Sequence, residues 1–301
     1  MIVRLAVEAM GTRFELVLDG EDEFFLRAAG ESAIEEILEQ HHRLNAFDPA
    51  SLIGRINARA EHEPVGIDRD LFELLTLCRQ VWLESDGGFD PSLGMLMRQW
   101  GFRNAPPLDK SLESVAGFGS VELDERAGSV RFHGPGVALD LGGVAKGWAL
   151  DRAGLVLREA GVTCGLIHGG TSTAVALDAP PGRSVWGVEI PSHREDIEPM
   201  DCRLENAALA VSSPLGRTVV ADGQTFGHVL DPRAGRPATG TLVAAVVCES
   251  AAVADAWSTA IVARGSRFAT MPETMIWASI PETGGAWTTN PSDQTVLECR
   301  A

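Results

Sequence analysis

Residues 138–147 place a carboxylate, two glycines and a lysine where a predicted strand meets a predicted helix. Asp140 precedes the two glycines and Lys146 follows them. Backbone N–H groups at a glycine-rich helix start attract an anion, and an anion would offset the cost of a lysine at the positive end of the helix dipole. The segment indicates a phosphate site. An ordinary turn with an exposed lysine stays open as the alternative, because the GxxxxGK spacing of a P-loop is missing.

Asp255 and Thr259 stand four residues apart in an apolar stretch, so a helix would bring them onto one face. A buried carboxylate without a partner is costly, and Mg²⁺ binds the oxygens of carboxylates and phosphates together. The pair therefore favours a divalent-metal site. The alternative is that Asp255 caps a neighbouring loop.

Residues 228–237 run from a short strand into a turn rich in proline and glycine. His228 could act as a general base, because an imidazole titrates near neutral pH. The alternative is a strand histidine that bonds a carbonyl group, with Asp231 and Arg233 organising the turn.

A second glycine-rich segment, residues 87–94, is followed by Trp100 and Phe102. Glycines beside aromatic side chains could admit a flat ring system. The alternative is a loop between helices whose aromatic residues belong to the core.

Hydrophobic periodicity predicts the elements that must position these residues. Helices are predicted at residues 22–44, 69–86, 92–99, 143–160 and 250–264, with a loop at 104–109. Strands are predicted at residues 13–18, 119–123, 129–133, 136–140, 164–168, 172–177, 185–190, 207–212, 217–221, 226–230 and 242–248. Because helices come first and β-α-β alternation is rare, the predicted fold class is α+β with mixed or antiparallel sheets. We expect one domain over residues 1–301, with a possible break between two lobes near 104–118.

Composition excludes several classes of protein. The chain has 301 residues, 45% of them hydrophobic, as expected of a folded domain. Acidic residues outnumber basic ones by 42 to 25, and the net charge of −17 argues against nucleic-acid binding. No apolar run approaches the roughly 18 residues of a membrane span, so no membrane insertion is expected. Five cysteines without a CxxC pair suggest neither a zinc site nor a disulfide framework.

Taken in order, these segments resemble the ApbE family, the FAD:protein FMN transferases. The resemblance begins at Met10-Gly-Thr and ends at the stretch with Asp255 and Thr259. Each motif is weak alone, whereas the ordered set is specific. The motifs between the two ends are residues 51–57, 89–91, 100–102, 140–147, 169–170 and 228–233.

The resemblance implies an α+β fold with FAD in a cleft between two lobes and Mg²⁺ on the FAD diphosphate. It implies transfer of FMN from FAD to a threonine or serine of an acceptor flavoprotein subunit, with release of AMP. Residues expected to contact FAD are Met10, Phe47, Gly88, Phe89, Asp90, Asp140 and Lys146. Expected magnesium ligands are Asp255, Thr259 and the backbone carbonyl of Gly143, with Ser258 as a further candidate. His228 matches the histidine proposed to take the proton from the incoming hydroxyl.

Two segments depart from the family's pattern. The family's Ser-Gly-x-Tyr-x-Arg reads Ser-Ser-Pro-Leu-Gly-Arg at residues 212–217, and the chain contains no tyrosine. Ala234 replaces the threonine of Asp-Pro-Arg-Thr-Gly. Two alternatives therefore stay open: a Mg²⁺-dependent hydrolase that splits FAD into FMN and AMP, and a non-catalytic FAD-binding protein. Many family members are exported lipoproteins, but Glu8 interrupts the segment where an export signal is apolar and no lipobox is seen, so we expect a cytoplasmic protein.

Overall fold

The computed structural model describes residues 1–102, 116–134, 136–216, 218–221, 223–290 and 296–299. Its α-helices are α1 (Glu23–Leu44), α2 (Leu52–Arg59), α3 (Arg69–Glu84), α4 (Gly94–Gln99), α5 (Ala145–Ala160) and α6 (Ala251–Arg264). Short 3₁₀ turns cover Phe118–Ser120 and Pro214–Gly216. Within these ranges no helix has both the length and the apolar character to cross a membrane.

The strands are short and follow one another closely in the second half of the chain. In chain order they are β1 (Ile2–Ala9), β2 (Thr12–Asp19), β3 (Val65–Gly66), β4 (Val121–Asp124), β5 (Ser129–Phe132), β6 (Cys164–Gly169), β7 (Thr173–Ala176), β8 (Trp186–Ile190), β9 (Met200–Leu204), β10 (Ala208–Ser212), β11 (Thr218–Ala221), β12 (Gln224–Gly227), β13 (Leu230–Asp231), β14 (Arg236–Pro237), β15 (Thr241–Cys248), β16 (Ile276–Pro281), β17 (Thr288–Thr289) and β18 (Leu297–Cys299).

An eight-stranded antiparallel sheet organises the molecule, in the order β1-β2-β6-β7-β10-β15-β16-β17. Helices α1, α5 and α6 pack against one face of this sheet. A three-stranded sheet of β8, β9 and β18 covers the other face where β7, β10, β15 and β16 lie. This arrangement confirms the predicted α+β class with antiparallel sheets.

Side chains of β10 alternate between the two layers. Ala208 and Ala210 belong to the clusters on the helix side, whereas Leu209 and Val211 pack toward the small sheet. Since successive strand residues point to opposite faces, Ser212 continues the helix-facing row. The small residues of that row let α6 lie close to the sheet.

Helix α6 is buried around almost its whole circumference, with 11 of its 14 residues buried. A helix that is apolar on all sides belongs inside a protein. Ser250 caps its start by accepting from the N–H of Val253 at 3.2 Å, and Gly265 ends it in the left-handed conformation. Asp255 and Ser258 are its buried polar residues, so each needs a partner inside the molecule.

Several predicted elements differ from the structure. The strand predicted at 136–140 is wrong: these residues form an irregular segment with one isolated bridge, between Ala138 and Leu93. The prediction omitted β1, α2 and β9, and the strand at 226–230 divides into β12 and β13. The loop predicted at 104–109 lies outside the described residues, as does most of the possible break near 104–118. Cys78, Cys164, Cys202 and Cys248 are free thiols in the part of the chain that the structure describes.

Candidate functional site

A cleft of about 1230 Å³ brings together segments that are far apart in sequence. Ordinary ligand pockets measure roughly 300–1,000 Å³, so this one has room for a dinucleotide. Of the residues expected from the sequence, the cleft is lined by Met10, Phe47, Gly88, Phe89, Asp90, Asp140, Gly143, Lys146, His228, Asp255 and Thr259. Ser258 is fully buried and is not among the lining residues.

The glycine bend before α5 is held in place from both ends. Asp140 Oδ1 accepts from the N–H of Gly142 at 3.0 Å, and the carbonyl of Leu141 accepts from the N–H of Ala145 at 2.8 Å. Ahead of the bend, the Asn57 side chain makes two hydrogen bonds with the backbone of Leu139, at 2.7 and 2.9 Å. The bend is therefore a fixed wall of the cleft.

The contact of Asn57 with Leu139 shows what the motif at residues 51–57 does in the structure. Ser51 caps α2 by accepting from the N–H of Gly54 at 2.8 Å. A Cβ on Gly54 would lie 2.1 Å from the carbonyl oxygen of Asp48, so only glycine fits there. Helix α2 thus carries Asn57 to the bend.

Asp255 lies at the start of α5 although it belongs to α6. It is 2% exposed, and its Oδ2 accepts from the N–H of Gly147 at 3.2 Å and lies 3.5 Å from Lys146 Nζ. The capping role weighed as the alternative is therefore present, with α5 as the element capped. Both contacts use Oδ2, so among the described residues the other carboxylate oxygen keeps its capacity to bind a ligand.

Thr259 faces the glycine bend across a very short gap. A Cβ on Gly143 would lie 3.0 Å from Thr259 Oγ1, so a side chain at position 143 would press on this hydroxyl. Among the described residues there is no group of three or more His, Cys, Asp or Glu side chains that could hold a metal ion. The Asp255 carboxylate and the Thr259 hydroxyl are hard oxygen donors one helical turn apart, and both line the cleft together with Gly143. That set fits Mg²⁺, which is often held by one or two carboxylates together with substrate phosphates and water.

Asp151 was missed by sequence reasoning. Its carboxylate links α5, which follows the glycine bend, to the start of α6, which carries Asp255 and Thr259. Its carboxylate accepts from the N–H groups of Ala251 and Ala252 at 2.8 and 2.9 Å, and from Ser250 Oγ at 2.7 Å. Burial raises the pKa of Asp151 despite these bonds. Asp151 of α5 thus caps α6, while Asp255 of α6 caps α5.

Residues 88–90 both line the cleft and belong to a loop packed into the core, so both interpretations of this segment describe part of the structure. Phe89 lines the cleft but is 3% exposed and belongs to the core. Asp90 accepts from Ser92 Oγ and from the N–H groups of Ser92 and Phe118, and burial raises its pKa. Its carboxylate therefore shapes the loop. A Cβ on Gly88 would lie 2.4 Å from the Phe268 ring, so glycine is required there.

Met10 reaches the cleft through a strained hairpin turn. Its φ is +51°, a left-handed conformation that is uncommon for a residue with a side chain. Its N–H donates to Nδ1 of His41 at 3.1 Å, and burial and then His42 lower the pKa of His41. His41 also lines the cleft. A histidine on the apolar stripe of the predicted 22–44 helix was the signal that could have found it.

The remaining expected residues, Phe47 and His228, also line the cleft. Phe47 is 56% exposed. His228 lies beside Gly216, whose added Cβ would be 3.3 Å from His228 Cε1. Asp231 accepts from the backbone N–H and from Nε of Arg233 at 3.0 and 3.2 Å, so it does organise the turn after His228. Arg217 lies outside the described residues.

Comparison with known proteins identifies a family model that spans most of the chain. The model for the ApbE family matches residues 10–273. A FAD:protein FMN transferase of Rhodobacter capsulatus is 30% identical over 85% of this chain, and the alignment spans half of that relative's length. One of Chlamydia muridarum is 27% identical over 88% of this chain and 84% of its own.

Solved structures of ApbE proteins superimpose on this chain over nearly its whole length. The ApbE protein of Thermotoga maritima superimposes with a TM-score of 0.86 at 26% identity, over 97% of this chain and 98% of its own. The flavin transferase ApbE of Vibrio cholerae, at 18% identity, has a TM-score of 0.82 over 99% of both chains, which shows a common fold.

Proposed function

The chain belongs to the ApbE family, and from that premise we propose that it transfers FMN from FAD to a serine or threonine hydroxyl of an acceptor protein, releasing AMP. One observation carries the proposal: the glycine bend with Lys146, the Asp255/Thr259 turn of α6 and His228 all line the same cleft. Relatives named FAD:protein FMN transferase support it.

In this proposal, one group of residues binds the FAD diphosphate and the metal ion. The bend would meet the FAD diphosphate with backbone N–H groups at a helix start, and Lys146 would add a positive charge. Asp255, Thr259 and the Gly143 carbonyl would hold Mg²⁺, which when bound neutralises charge on the diphosphate.

In the reaction, the acceptor oxygen forms a bond to the phosphorus of the FMN half. The bond from that phosphorus to the oxygen of AMP breaks, and AMP leaves with the bonding electrons. His228 takes the proton of the attacking hydroxyl, a role suited to an imidazole near neutral pH. Because AMP is a good leaving group, the reaction needs no strong acid on the opposite side.

The test supplies purified protein with FAD, Mg²⁺ and a flavinylatable acceptor protein of a relative. We expect AMP in the supernatant and a fluorescent acceptor band that survives denaturing electrophoresis. AMP without an acceptor would instead identify a FAD hydrolase. Bound FAD with neither AMP nor a band after hours would identify a non-catalytic FAD-binding protein, as the changes at 212–217 and Ala234 allow.

His228→Ala separates proton transfer from binding. We expect flavin transfer to slow by about 10²–10⁴-fold, the usual contribution of a general base, while FAD affinity changes little. A parallel loss of FAD affinity and of transfer would argue against the base role.

A further inference from the structure

The geometry points to Ser212 as a positioning residue that turns the hydroxyl of Thr259 into a pure acceptor toward a bound cation. This inference rests on the proposed function, because it concerns the same metal site. Ser212 Oγ lies 2.8 Å from Ser258 Oγ and 3.3 Å from Thr259 Oγ1. Ser258 Oγ in turn lies 3.0 Å from the carbonyl oxygen of Asp255.

Counting protons fixes the direction of this chain of hydroxyls. There are three contacts and three hydroxyl protons, while the carbonyl at the end has no proton and can only accept. Each contact contains a proton only if Ser258 donates to Asp255, Ser212 donates to Ser258, and Thr259 donates to Ser212. Any other order leaves two oxygens facing each other without a proton between them.

Burial supports this order at its inner end. Ser258 is fully buried inside α6, whereas Ser212 is half-buried: it lies at the end of β10 on the face that packs against α6, and it also lines the cleft. A buried hydroxyl without a partner is costly, so Ser258 donates to the Asp255 carbonyl and accepts from Ser212.

This direction determines how the hydroxyl of Thr259, which lines the cleft, is oriented. Its only hydroxyl proton is committed to Ser212, so the lone pairs of Oγ1 are left for a cation beside the Gly143 bend. Without Ser212, the proton of Thr259 could turn into the cleft and compete with the cation. Partners that orient metal ligands in this way typically contribute 10–100-fold to metal affinity.

Three variants test the inference through metal binding rather than turnover. Mn²⁺ is titrated into the protein in saturating ADP, and free Mn²⁺ is followed by electron paramagnetic resonance. We expect Ser212→Ala to weaken Mn²⁺ binding by about 10-fold or more. Ser212→Thr keeps the hydroxyl and should restore most of the affinity. Ser213→Ala is the matched control, because the Ser213 hydroxyl accepts from the N–H of Leu215 and does not join this chain.

Three results would overturn the inference. The first is Mn²⁺ affinity in Ser212→Ala that matches the unchanged protein, and the second is Ser212→Thr binding Mn²⁺ as weakly as Ser212→Ala. The third is an equal loss of FAD affinity in EDTA, since Ser212 would then touch FAD directly. Ser258→Ala breaks the same chain one hydroxyl further on and should weaken Mn²⁺ binding in the same direction. If the unchanged protein binds Mn²⁺ and releases AMP while these variants bind normally, the inference alone fails and the proposed function stands.

Discussion

At Asp255, one carboxylate serves two neighbours through one of its oxygens. Oδ2 receives the N–H of Gly147 and lies 3.5 Å from Lys146 Nζ. These contacts of Oδ2 alone would account for a capping role. The opposite oxygen and the nearby Thr259 hydroxyl are what make this pair a candidate metal site, so the two roles can be separated by substitution.

Asp255→Asn should keep the cap and lose the metal. The amide oxygen can still accept from Gly147, but the charge that attracts a cation is gone. We expect Mn²⁺ affinity to fall by more than about 100-fold, beyond the effect of losing an outer partner, and AMP formation to stop. Asp255→Ala should in addition lower the free energy of unfolding by about 1 kcal/mol, the usual cost of a lost cap. Calorimetric titration and denaturant unfolding measure the two effects, and normal AMP release by Asp255→Asn would remove the metal assignment.

His41 links the pH of the solution to the Met10 turn. Its Nδ1 accepts a hydrogen bond, so it must carry no proton there, and burial lowers its pKa. The native protein therefore binds fewer protons at this site than the unfolded chain. The resulting stability is fully present above the ordinary histidine pKa and is lost as pH falls through the lowered native value.

His41→Gln removes this titration while keeping an oxygen that can accept from Met10. The free energy of unfolding of the unchanged protein should therefore fall more steeply between pH 7 and pH 5 than that of the variant. Denaturant unfolding across this range measures the difference, in which all other titrating groups cancel. Parallel pH profiles for the two proteins would show that His41 does not titrate with folding.

Among the helices, α5 and α6 cap each other's first turns. Asp151 of α5 receives the N–H groups at the start of α6, and Asp255 of α6 receives one at the start of α5. A Cβ on Gly147 would lie 2.2 Å from the carbonyl oxygen of Ala251, so the helices also touch at their backbones. The distance from the glycine bend to Thr259 is set by this contact.

Asp151→Ala should loosen both helices together. It leaves two N–H groups and the Ser250 hydroxyl without their acceptor, which we expect to cost about 2–4 kcal/mol of unfolding free energy. Mn²⁺ affinity should also fall, although Asp151 is not proposed to touch the ion. Ser250→Ala is the control: it removes one of the three donors and the acceptor of the Val253 N–H, but it leaves Asp151 bonded to Ala251 and Ala252. It should therefore show a smaller loss in both measurements. Unchanged stability in Asp151→Ala would contradict the role given to the reciprocal caps.

The same elements show where sequence reasoning succeeds and where it stops. Periodicity predicted α1, α3, α5 and α6 to within a few residues, because each has an apolar face or an apolar body of sufficient length. It mistook residues 136–140 for a strand, since their apolar run is held by the Asn57 side chain instead of by a sheet. The inward alternation of β1 (Val3, Leu5, Val7 and Ala9) was readable and was overlooked.

In the site, motifs and family resemblance predicted 11 residues that line the cleft, together with Ser258, which does not. They did not predict what positions those residues. Asn57 acts 82 residues away from its partner Leu139, Asp151 acts 100 residues away from Ala251, and His41 acts 31 residues away from Met10. Such contacts have no local period or spacing in the sequence. Only the packed arrangement of helices on the sheet brings them together.

For the whole molecule, the net charge opposes the binding of the proposed anionic dinucleotide. The net charge is −17, so its long-range field repels the FAD diphosphate. The local features of the cleft act over much shorter distances: one lysine, the start of α5 and the proposed metal ion. Long-range repulsion and short-range attraction should therefore respond differently to salt, because screening weakens the distant charges first.

This difference predicts an unusual salt dependence. In EDTA, raising NaCl from 10 mM to 0.1 M shortens the screening length from about 30 to about 10 Å, so FAD should associate a few-fold faster. Quenching of flavin fluorescence in a stopped-flow instrument measures the rate constant. Lys146→Gln should weaken FAD binding and leave the sign of the salt effect unchanged, since the repulsion comes from the rest of the surface. Slower association at higher salt would mean that the cleft's own positive potential, and not the net charge, governs the approach of FAD.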